Sequence, residues 1–123
     1  MTRGFRFEGL EIWQRAIDLG DKLFDISDFL ENRKLFRFAG QLRGAGMSIS
    51  NNTAEGSGST PKKGFHQFLN YARRSCYECA NIIIVLQRRD YVSVETKQQI
   101  FNDLDELSRK ISNFQKSLLP TLS

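Results

Sequence analysis

Cys76-x-x-Cys79 is the one spacing in this sequence that resembles a metal or redox site. Two thiolates so placed could hold half of a structural zinc site, which takes four such ligands. The sole histidine, His66, lies ten residues upstream, about three helical turns away. A redox pair needs a helix N-terminus or a cation to lower its thiol pKa. This pair falls in the middle of an apolar helical side and reads as two small buried hydrophobes. Nucleophilic catalysis would have to run through His66, because a Ser–His or Cys–His pair needs an imidazole. No Glu-x-x-His element of a di-metal bundle occurs. Glu55 and Glu78 could form a carboxylate pair, but no nucleophile or metal set accompanies them. We therefore assign no catalytic residue, no metal ligand and no cofactor, and a small metal-dependent nuclease stands last among the functional readings.

Phosphate binding has more support. Gly56-Ser-Gly-Ser-Thr lacks the spacing and the lysine of a phosphate-cradling loop. It precedes a helix start with Lys62 and Lys63, and reads as an ordinary inter-helix turn. The charge is unevenly spread. Residues 1–31 carry −3, residues 32–90 carry +7, and residues 91–123 are neutral, for a total of +4. A basic excess confined to the middle of the chain favours a phosphate-bearing or acidic partner. The candidate contacts are Arg33, Lys34, Arg37, Arg43, Lys62, Lys63, Arg73 and Arg74.

These residues need elements to position them, and the apolar periodicity supplies four helices. The first runs from about Leu10 to Leu30, with Ile12, Ala16, Leu19, Leu23, Ile26 and Leu30 facing inward. Trp13, Ile17 and Phe24 widen that stripe beyond one bundle seam, so they are the candidate oligomer interface. Asp18, Asp21, Asp25 and Asp28 form an acidic, solvated ridge. Asn32 reads as the N-cap of a second helix, from Arg33 to Glu55, with Leu35, Phe38, Leu42, Ala45, Ile49 and Thr53 inward. Gly40, Gly44 and Gly46 within it argue for close helix approach or a bend. Gly56 reads as its stop. Thr60 as N-cap and Pro61 at the first helical position open the third helix, which runs to about Arg89. Ser93 caps the fourth, whose seam is Ile100, Leu104, Leu107, Ile111, Phe114 and Leu118, and Pro120 ends it. Long amphipathic segments with short connections predict an all-α, up-down-up-down antiparallel four-helix bundle, one domain over residues 1–123. No apolar run reaches a membrane span and the start lacks a signal-peptide pattern, so a cytoplasmic protein without a membrane partner is expected.

Polar residues crowd Ser48 to Gly56 although that stretch must also pack a core. Such a local conflict points to a tertiary role. Asn52 and Glu55 are expected to hydrogen-bond across to the third helix and fix register. Gln41-Leu42-Arg43, Ser48-Ile49-x-x-Asn52-x-Ala54-Glu55-Gly56 and Phe68-Leu69-x-x-Ala72-x-x-Ser75-x-x-Glu78 together resemble the bacterial 23S rRNA intervening-sequence proteins, also called the S23 ribosomal protein family. Leu10-x-x-Trp13-Gln14-x-Ala16 matches as well. The resemblance makes Ser48, Asn52, Glu55, Gly56, Ser75 and Glu78 the structural motif. It implies a cytosolic four-helix bundle without known catalysis. The family includes accessory variability determinants of diversity-generating retroelements, which form pentameric barrels and bind nucleic acid and a reverse transcriptase. By that resemblance a homo-oligomer, a pentamer, is expected. It would bind RNA or DNA through a basic surface or serve as an adaptor for a protein such as a reverse transcriptase.

Overall fold

An apolar residue recurs every three or four positions through most of this chain, and each such run becomes a helix. In the computed structural model, which describes residues 4–119, these are α1 (Glu11–Asn32), α2 (Phe36–Ser57), α3 (Lys62–Arg88) and α4 (Val94–Leu118). A 3-10 turn over Arg6–Gly9 precedes them and sets Phe7 against Trp13. Each helix packs on its sequence neighbour and α4 returns to α1, giving the expected up-down-up-down bundle. Leu23, Leu30, Leu42, Ile49, Leu69, Ile83, Leu86 and Ile111 are all sealed from solvent. Each such side chain contributes about 1.5–3 kcal/mol by leaving water. The predicted stop at Pro120 lies outside the described residues.

The end of α1 differs from expectation, while the end of α3 falls where it was expected. Asn32 is the last residue of α1 rather than a cap for α2, which begins at Phe36. The chain reverses at Lys34, whose φ is 65°. There the Lys34 N–H donates to the Glu31 carbonyl at 2.8 Å and the Leu35 N–H to the Leu30 carbonyl at 2.9 Å. The end of α3 repeats this pattern, with Asp90 at φ 62° and the Tyr91 N–H donating to the Leu86 carbonyl at 2.8 Å. Both are Schellman closures, whose left-handed position usually holds glycine. With Lys at the first, the glycine signal is missing and that boundary shifts.

The glycines of α2 also separate by role. Gly56 does not stop the helix, which continues to Ser57. It allows close approach instead: a Cβ there would stand 2.8 Å from Phe68 Cβ and 2.9 Å from Phe65 Cδ1. Gly46 faces Leu23, where a Cβ would meet Cδ1 at 3.1 Å. Gly40 and Gly44 face open space, so close packing explains only one of the three glycines predicted to serve it. Leu35 and Phe38 are half-buried and Ala39 takes the inward position. Thr60 gives no cap, because Pro61 occupies that position and the helix opens at Lys62. Ser93 caps α4 as expected, its hydroxyl accepting from the Thr96 N–H at 3.0 Å.

The α1–α4 edge is closed differently from the others. Arg15 reaches Glu106, Lys22 reaches Asp103, and Lys110 reaches Glu11. Behind these pairs lies a groove of about 180 Å³, lined by Leu19 and Leu107 beneath the charged groups.

Candidate nucleic-acid interface

Four of the six motif residues meet on the outer side of the α2–α3 seam. Ser48, Asn52, Ser75, Glu78, Tyr71 and Arg74 line an open cleft of about 440 Å³. The Ser48 and Ser75 hydroxyls meet at 2.9 Å, and this is the bond that joins α2 to α3. Asn52 turns back on its own helix, its amide donating to the Ser48 carbonyl at 2.8 Å and to Ser48 Oγ at 3.0 Å. The Glu55 side chain is exposed and makes no hydrogen bond among the described residues. The expected crossing by Asn52 and Glu55 is therefore replaced by a serine pair. A short amide reaches the carbonyl one turn back more readily than it reaches a neighbouring helix. An exposed carboxylate, fully hydrated, gains little by seeking a partner. Glu78 lines the cleft and Glu55 does not, so the two carboxylates do not share it.

Cys76 and Cys79 are buried in the core, and burial pushes each thiol up to about 12. At neutral pH neither supplies a thiolate, as their placement on the apolar side of the helix predicts. Among the described residues no three His, Cys, Asp or Glu side chains converge as metal ligands.

The eight candidate basic residues do not form one cluster. Arg33, Lys34 and Arg37 sit at the α1–α2 connection. The Arg33 guanidinium lies 5.7 Å from the Phe29 ring centroid and 5.8 Å from that of Tyr91, which places it beside the α3–α4 connection. Arg88 and Arg89 share that end and are not among the eight candidates. Lys62 and Lys63 lie at the opposite end of α3, roughly 40 Å away at the helical rise. Arg43 is occupied: its two terminal nitrogens bond Asp28 at 2.6 Å and Glu31 at 2.8 Å. Asp28 first and Glu31 second hold that guanidinium above its ordinary range. A charge so neutralised adds little to phosphate attraction.

Arg73 and Arg74 stand mid-helix beside Asn70 and Tyr77, and these four line a shallow depression on α3. Arg73 Nε is shielded from solvent and has no acceptor. Tyr77 is 66% exposed. The spacing of Lys63, Asn70, Arg74, Tyr77, Asn81 and Arg88 puts them along one face of α3, a pattern of threes, fours and sevens readable in advance. Among the described residues, every ion pair involves α1, α4 or Arg43, and α3 has none. α3 carries five basic residues against one carboxylate, and α1 carries two against six.

Trp13, Ile17 and Phe24 are half-buried on the flank of α1 that turns towards α2. Met47 of α2, on the same flank, is 45% exposed. The acidic ridge is exposed as expected, except that Asp28 is engaged by Arg43.

The profile of the 23S rRNA-intervening sequence protein family matches residues 8–113. The chain belongs to this family. Its solved relatives include a protein of unknown function from the S23 ribosomal protein family of Bacteroides thetaiotaomicron VPI-5482. That structure is 24% identical, covers 85% of this chain and 98% of its own, and superimposes with a TM-score of 0.82. At that identity the likeness establishes the fold. No curated protein matches this chain. The family match takes in the whole Ser48–Gly56 stretch and its α3 counterpart. Among the described residues of this family member, no helix is long and apolar enough to cross a membrane.

Proposed function

We propose that this family member is a non-catalytic scaffold that binds RNA or DNA through phosphate contacts on α3. The observation that carries this is the unpaired basic face of that helix. Among the described residues Lys62, Lys63, Arg73, Arg74 and Arg88 have no carboxylate partner, whereas most acidic groups collect on α1 and α4. A charge separation of that kind steers a polyanion to one side of the molecule. Arg33, Lys34, Arg37 and Arg89 extend the field at one end.

The test is a fluorescence-anisotropy titration of labelled RNA and DNA strands between about 50 and about 200 mM salt. Affinity falls steeply with salt, and the double variant Lys63→Glu with Arg74→Glu weakens binding and flattens the salt slope. Binding indifferent to both salt and those substitutions would refute the proposal.

The half-buried Trp13, Ile17 and Phe24 beside the exposed Met47 favour a homo-oligomer in the same cytoplasmic scaffold. Phe24→Asp with Trp13→Ser lowers the mass measured by light scattering while the helical circular dichroism is kept. If the wild-type protein is already a monomer, the same flank instead serves a protein partner, such as the reverse transcriptase bound by retroelement members of the family.

A further inference from the structure

The cleft between α2 and α3 carries groups that a phosphate would not need. Asn52 has committed its amide N–H groups to Ser48, whose carbonyl can only accept. Its Oδ1 accepts no hydrogen bond among the described residues, and the half-buried side chain lines the open cleft. Glu78 adds a carboxylate that makes no ion pair, although Arg74 stands one turn away on the same helix. On the cleft's edge the Tyr71 ring is 38% exposed and fixed in place. Phe68 packs edge-on against it with centroids 5.9 Å apart, and its hydroxyl accepts from Gln67 at 2.8 Å. The cleft thus combines a flat aromatic face, three acceptor oxygens and one free guanidinium.

Those features match an unstacked base better than they match a backbone. An exposed aromatic ring stacks any base. Adjacent acceptors select a base edge with adjacent donors, and a carboxylate accepts from such an edge with both oxygens. Guanine alone presents a ring N–H beside an amino group. Cytosine and adenine offer only an amino group on that edge, and uracil only a single ring N–H. Arg74 would then meet the adjoining phosphate. A duplex keeps this edge paired and out of reach, so the fit is to a single strand.

We infer that the Ser48–Ser75 cleft is a pocket for one guanine base of a single-stranded RNA or DNA, read by Glu78 and Asn52 and stacked on Tyr71. This rests on the phosphate-binding role proposed for α3 and adds a base preference to it.

The experiment compares three labelled RNAs of about 12 nucleotides, the scale of a single-strand site. One is all uridine, one is uridine interrupted by guanosines, and one is a blunt duplex. The guanosine strand binds roughly tenfold more tightly than the uridine strand, as a correct two-point base contact provides. Glu78→Gln, on an exposed position that leaves the fold intact, brings that ratio to about one. Asn52→Leu and Tyr71→Ala lower it. Equal affinity for the two single strands, tighter binding of the duplex, or a preference that survives Glu78→Gln each overturns the pocket and leaves the phosphate reading standing. No saturable binding of any of the three at low salt removes the phosphate reading and the pocket with it.

Discussion

Among the described residues no ion pair crosses the α2–α3 seam, while the α1–α4 seam is closed by several. At the first, Gly56 lets two phenylalanines approach the backbone of α2, and two serine hydroxyls supply the polar contact. At the second, Arg15, Lys22 and Lys110 reach across to carboxylates over a groove. Packed apolar atoms hold position whatever the solution contains. Exposed ion pairs are screened by salt and contribute roughly 0–1 kcal/mol each. One bundle thus has a rigid seam and an adjustable one, and the rigid seam carries the family motif.

The largest way to break this contrast is Phe65→Ala, which empties a site only 1% exposed beside Gly56. A loss of about 3–5 kcal/mol in urea unfolding is expected. Gly56→Ala comes next. Its Cβ must push into Phe68 and Phe65, at about 1–3 kcal/mol, against a helix-propensity gain of about 1 kcal/mol. A net loss near 1 kcal/mol is expected, and a gain would show that the seam can give. Gly44→Ala has the opposite sign, because its Cβ meets nothing within 4 Å. It should gain about 0.5–1 kcal/mol. A loss that grows with protein concentration would instead place a second chain against that face.

The smallest effects belong to the charged seam. Glu106→Gln costs about 1 kcal/mol or less at low salt, and nothing measurable at high salt. Acid acts on the same edge. Arg15 first, then Lys110, hold the Glu11 carboxyl below its ordinary value of 4.5. Its folded pKa is depressed, so its contribution is present above about 4.5 and is lost as pH falls through the folded value. Thermal melts at low salt should therefore decline below that pH more than melts at high salt. Equal declines would remove the ion pairs as the cause.

The fold was legible because the four apolar stripes and two of the three helix connections announce themselves in residue type. Ser93 shows its cap and Cys76 and Cys79 their burial. What failed was chemistry that depends on a neighbour. Lys34 turns the chain without glycine, so no local signal marks that turn, whereas the break before Ser93 is legible. Gly56 looks like a stop because only the structure shows Phe65 and Phe68 above it. Asn52 and Glu55 were correctly singled out as unusual, yet their partners could not be read from the sequence. Which cations are free was equally hidden: Arg43 looks like Arg74 until Asp28 and Glu31 are placed beside it. The face of α3 that joins Lys63, Arg74 and Arg88 was readable, but only once the helix was considered as a surface rather than as a charge total.

Arg33 has a consequence for how the molecule holds together. Its guanidinium lies between an α1 ring and the ring of Tyr91, and Tyr91 also meets Phe38 of α2 edge-on at 5.8 Å. The two Schellman turns are thereby clasped into one lid. The other end is tied as well: the Arg6 guanidinium donates to the Ser57 carbonyl at 3.2 Å and stands over the Phe65 ring, and the Gln115 amide donates to the His66 carbonyl at 3.2 Å. The bundle is thus laced at both ends by side chains that reach from one element to the next.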